Sequence, residues 1–163
     1  MEWSRMPLYR RAACLVALLI ATAAAAGDAD VINACLKSAY SGDHGEAHAC
    51  IGLVADPCLQ KPENQSTQAM VACTDSETKI WDALLNAEYD RLLGVLQGKA
   101  ADDVRQAQRV WITLRDADCA VPYQLFEGGT MAQPIGANCV LAHTANRMMQ
   151  VRSWREMVQP EQE

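Results

Sequence analysis

Apolar side chains in this chain recur at intervals of three and four over long stretches, and no stretch alternates strictly with polar residues for the length of a strand. Residues 29–40 carry Val31, Ile32, Cys35, Leu36 and Ala39 at helical spacing, and Ser41, Gly42 and Asp43 break the pattern. A short helix is expected over 45–54, ended by Asp56–Pro57 because a residue before proline avoids helical geometry; 58–65 then reads as a loop. Ser66 or Thr67 fits the cap of a long helix reaching about Gln97, with Met70, Cys73, Trp81, Leu84, Leu85, Tyr89, Leu92 and Leu96 in its stripe and Gly98 closing it. Asp102 or Asp103 fits the cap of a second, through Val104, Ala107, Trp111, Leu114 and Val121, which Pro122 kinks or ends. Beyond the Gly128–Gly129 turn, Asn138 fits the cap of a last helix through Val140, Leu141, Thr144, Met148, Val151 and Trp154. The predicted class is all-α: a small disulfide-stapled helical domain with two long helices, a C-terminal helix and short N-terminal helices.

One apolar run differs from the rest. Residues 12–23 follow Arg10–Arg11 and precede Ala24–Ala25–Ala26, an A-x-A site before Gly27. That is the form of a cleaved export signal, and the run is short for a membrane anchor. Cys14 has no apolar stretch before it, unlike a lipidated cysteine. The expected organisation is a signal peptide over 1–26, a helical extension over 27–57, a helical domain over 58–158 and a disordered tail over 159–163. The expected location is the periplasm or outside the cell, with no membrane anchor after cleavage.

The chain is 50% apolar and 21% charged, as a globular domain requires. Three of its 14 basic and one of its 20 acidic residues fall in the first 26, so the remainder carries 11 against 19, a net charge of −8. Phosphate contact needs clustered Lys and Arg, so a nucleic-acid partner is excluded. An acidic surface favours a cationic partner, or simply solubility.

Six cysteines remain beyond the signal, an even number in an exported chain, which reads as a disulfide framework. Six cysteines allow 15 pairings. Cys35 to Cys50 and Cys58 to Cys73 are each 15 positions apart, and both stretches open Cys-Leu and close Ala-Cys. This faint repeat suggests two loops, each closed by its own bridge, which leaves Cys119 to pair with Cys139. No C-x-x-C occurs, so neither a thioredoxin-like site nor a zinc ribbon is supported.

Candidate chemistry is sparse. His44 and His48 are four apart and form a weak metal pair, but H-G-E-A-H is not the zinc-protease spacing, and two exposed histidines is the simpler reading. His143 has no nucleophile near it in sequence and reads as structural. No nucleophile elbow, phosphate loop or dinucleotide fingerprint is present, so no enzyme and no cofactor are expected. The most informative stretch is 107–119, where Gln108, Trp111, Arg115 and Cys119 share one helical face. Arg115 there is expected to be partly buried and to need an acid, with Asp82, Glu88 and Asp90 as candidates. Such a pair either fixes helix register or forms part of a partner surface.

These residues carry a resemblance. From about Cys58 to Trp154 the chain resembles the lysozyme inhibitor LprI-like N-terminal domain family. The matching elements are Cys73, Trp81–Asp82, Leu85–Asn86 and Tyr89, then Ala107–Gln108, Trp111, Arg115–Asp116 and Cys119, then Gly128–Gly129, Cys139 and Arg147. The resemblance implies an exported, disulfide-bonded helical domain and inhibition of lysozyme or a related muramidase. Its partner would be lysozyme or another exported cationic protein. The segment tethered by Cys119 and Cys139 is the candidate binding loop, with Gly128, Gly129, Thr130, Met131, Gln133 and Ile135 in it. The alternative is a non-inhibitory envelope interaction or stress-tolerance protein of the same fold.

Overall fold

A computed structural model of the chain describes residues 27–41 and 44–159, except the side chains of 44–46. The expected signal peptide with Cys14, the His44 side chain and residues 160–163 lie outside the described residues. Helix α1 covers 27–40. A 3-10 helix, His44–Cys50, leads to α2, Ala55–Leu59. A second 3-10 turn, Pro62–Asn64, precedes α3, Thr67–Val95; then come α4, Gly98–Leu125, and α5, Ala132–Val158. The class is all-α, with no strand among the described residues. None of the described helices is long and apolar enough to cross a membrane.

Helix α3 starts where Ser66 accepts the Ala69 N–H on its hydroxyl, at 3.2 Å. Its buried stripe is Cys73, Glu77, Trp81, Leu85, Glu88 and Leu92, at helical spacing. That face packs against α5, which buries Leu141, Ala145, Met148 and Val151. Ile32, Leu36 and Ala39 of α1 close the same core. Trp81 is fully buried at its centre. Each large apolar side chain buried this way contributes about 1.5–3 kcal/mol. Helix α4 packs on α5 rather than on α3 and buries little besides Ala101, Cys119 and Pro122. Its outer face leaves Val110, Leu114, Val121 and Leu125 exposed.

Three disulfides staple these elements: Cys35–Cys50, Cys58–Cys73 and Cys119–Cys139. The first ties α1 to the 3-10 helix, the second α2 to α3 and the third α4 to α5. Glu77 adds a polar staple. Its buried carboxylate accepts the N–H groups of Gly52, Val54 and Ala55 at 2.7–2.9 Å, and the Trp81 indole N–H at 2.9 Å. It thus caps α2 from α3, at an N-terminus whose own Val54 offers no side-chain cap.

Several boundaries differ from the sequence expectations, each for a local reason. Pro57 lies inside α2, in the first turn, where its missing N–H has no helical partner to lose. Helix α4 starts at Gly98, ahead of Asp102 and Asp103, whose carboxylates pair instead with Arg105 and Lys99 one turn away. Pro122 neither ends α4 nor caps it; the helix runs on to Leu125. Helix α5 begins six residues before Asn138, with Pro134 in its first turn. The connection between α4 and α5 is therefore only 126–131, and Gln133 and Ile135 are helical.

Candidate functional site

The α4–α5 hairpin ends in a turn built from left-handed residues. Glu127 has φ 50° and Gly128 φ 71°. The Gly128 N–H donates to the Tyr123 carbonyl at 2.9 Å and the Glu127 N–H to the Gln124 carbonyl at 3.2 Å. These two bonds make a left-handed helix C-cap, a motif in which the first left-handed position is usually glycine. Here glutamate occupies it. Gly129 is needed for a different reason: a Cβ there would meet the Phe126 carbonyl oxygen at 2.9 Å.

This tip presents apolar surface to solvent. Leu125 is 74% exposed, Phe126 45% and Met131 54%. Thr130 and Gln133 are exposed beside them, while Ile135 is half-buried. The Cys119–Cys139 bridge crosses the hairpin below the turn. Its charge is of one sign: residues 116–146 contain Asp116, Asp118 and Glu127 and no Lys or Arg. A cleft of about 560 Å³ opens below the tip, with Asp75, Asp116, Tyr123, Gln133 and Gly136 in its walls. At Gly136 a Cβ would meet the Tyr123 ring at 2.9 Å, so the two helices approach closely here.

The motif residues fall into three places. Trp81 is core. Asp82 and Asn86 are exposed on α3 and bonded to each other, the amide donating at 3.1 Å. Gln108, Trp111, Arg115, Asp116 and Arg147 gather between α4 and α5, with Tyr89 packed against the core. In that gathering the guanidinium of Arg115 lies 5.1 Å from the Trp111 ring, Arg147 5.7 Å from Trp111, and Arg147 4.8 Å from Trp154. The result is an alternating ladder of cations and indoles.

Arg115 does not pair with Asp82, Glu88 or Asp90, because α4 lies on α5 and those acids are on α3. Its Nη2 pairs with the adjacent Asp116 at 2.7 Å. Glu88 instead holds Arg155 of α5 at 2.7 Å, both side chains buried, and also Arg91 at 2.8 Å. Glu77 and Arg155 were not singled out by sequence reasoning, and Glu88 was considered only as a partner for Arg115. The signal was available for the two glutamates, which stand in register with the buried stripe of α3.

Of the histidines, His48 is exposed. His143 Nε2 lies 3.4 Å from Asp118 Oδ2. His143 also approaches Cys119 and Cys139, but both sulfurs are bound in their disulfide.

Fold and site together define a disulfide-stapled helical domain with an exposed apolar hairpin tip. The family follows from comparison: the lysozyme inhibitor LprI family model matches residues 58–151, and the chain belongs to that family. The match begins at Cys58 and stops short of Trp154 and Arg155, leaving α1 and the first disulfide outside it. No curated protein and no solved structure shows a significant match to the chain.

Proposed function

We propose that the chain is an exported binding protein that inhibits lysozyme or a related muramidase, with the α4–α5 tip as its contact surface. The observation that carries this reading is the tip itself. Leu125, Phe126 and Met131 are large apolar side chains held in water by a disulfide-braced turn, in a region with acidic residues and no Lys or Arg. Exposed apolar surface of this kind marks interaction sites, and bracing lowers the ordering cost of binding. Lysozymes are commonly basic, so an acidic contact region speeds encounter and selects for them. The cleft flanked by Asp75 and Asp116 suits a lysine or arginine side chain of the partner.

The mature, oxidised protein titrated into a cell-wall lysis assay is expected to give saturable inhibition of a basic lysozyme. The same assay with Leu125→Asp and Phe126→Asp together is expected to lose that inhibition while circular dichroism is unchanged. Inhibition by the folded double variant at wild-type potency would remove the tip as the contact. No inhibition of any lysozyme type by the native protein would overturn the function.

A further inference from the structure

Arg147 is an unusual cation. It is 6% exposed, yet no carboxylate among the described residues pairs with it. Two neutral amides hold it instead: Nε donates to Gln108 Oε1 at 2.9 Å and Nη1 to Gln150 Oε1 at 2.7 Å. Its Nη2 is buried with no hydrogen-bond partner among the described residues. Burial pushes its pKa below the ordinary value, with Tyr89 opposing. A desolvated, un-neutralised guanidinium is costly, and a glutamate at either amide position would relieve it. Arg155, buried to a similar degree on the same helix, has Glu88.

Arg147 also lines a cavity of about 620 Å³, a size that suits a small-molecule site. The other polar residues around it are His48, His143, Asn146 and Gln150, with Trp111 as an apolar wall and no Asp or Glu in the lining among the described residues. We propose that this cavity is a binding site for a small organic carboxylate, with Arg147 as the receiving group. The exposed Gln150 amide swings off Nη1. The ligand's carboxylate then takes Nη1 and Nη2 together, in the two-pronged geometry a guanidinium favours. The site is separate from the hairpin tip and does not depend on lysozyme inhibition.

The test uses two carboxylates from different sources, each against its neutral counterpart: glucuronate against glucose, and N-acetyl-alanyl-alanine against its amide. Tryptophan fluorescence is the readout, because Trp111 and Trp154 flank Arg147, and calorimetry checks it. A saturable response to one carboxylate and not to its neutral counterpart is expected, and which one responds identifies the source. Arg147→Gln risks misfolding, so the decisive variant is Gln150→Glu, an exposed, isosteric change that supplies an internal carboxylate at Nη1. It is expected to raise the melting temperature and to weaken carboxylate binding at least about tenfold, as loss of a charge-assisted pair would. No response to either carboxylate at millimolar concentration, an equal response to the neutral counterparts, or undiminished binding by Gln150→Glu would each overturn the proposal.

Discussion

Glu127 takes a left-handed conformation that glycine adopts freely and a glutamate resists. Glu127→Gly is therefore expected to stabilise the domain by about 1 kcal/mol, read as a higher urea midpoint. Unchanged or lower stability would mean that the glutamate side chain contributes something that its backbone strain conceals. The same change removes one of the three acids of the tip region and should slow association with a basic partner. Glu77 is the opposite case, a carboxylate whose four donors leave it no tolerance for an amide. Glu77→Gln would turn an NH₂ toward N–H groups and is expected to cost about 2 kcal/mol or more by urea unfolding. A neutral result would mean that the α2 end finds other acceptors. Tyr40 gives the pH signature. Burial raises its pKa above the ordinary 10.0, while Arg152 opposes and Glu156 and Glu88 add to the rise. A raised folded-state pKa favours the protonated phenol, so this contribution to stability is complete below pH 10.0 and is lost as pH climbs through the folded value. Alkaline absorbance titration should show a late phenol transition that Tyr40→Phe abolishes; a late transition that survives in Tyr40→Phe, or none in the wild type, would contradict the assignment.

Among the elements, α3 and α5 were legible as amphipathic helices because packed apolar stripes leave a periodic trace. Helix ends were less legible, because ion pairs, a remote carboxylate cap and proline in a first turn decide them. Asp102 and Asp103 look like caps in sequence and are ion-pair partners in the structure. Asn138 looks like a helix start, yet Pro134 already lies in the first turn of α5. The cysteine spacing suggested the three bridges that the structure contains, whereas the acid opposite Arg155 depended on how α3 meets α5 in space. The hairpin disulfide closes a separation of 20 residues. Replacing Cys119 and Cys139 together by serine is expected to cost about 3 kcal/mol and to speed amide exchange near the turn before the α3–α5 core. Exchange that accelerates uniformly would show that the hairpin and core unfold as one unit.

At the scale of the whole molecule, α3 and α5 form the buried core and α4 packs on α5 rather than on α3, so that one α4 face and the tip remain uncovered. Leu114 and Val121 gave the same sequence signal as Val104 and Trp111 but are exposed, since periodicity alone cannot say which part of a stripe finds a partner. The candidate site was thus visible as a glycine turn between cysteines, and invisible as an exposed apolar tip. The central claim is that this tip binds and inhibits a basic lysozyme. The most direct measurement is the inhibition constant of the wild-type protein and of the Leu125→Asp, Phe126→Asp variant, at low and at physiological salt. Saturable inhibition that weakens with salt and disappears in the folded variant is the predicted result. Equal inhibition by both proteins, or none by the wild type, would contradict it.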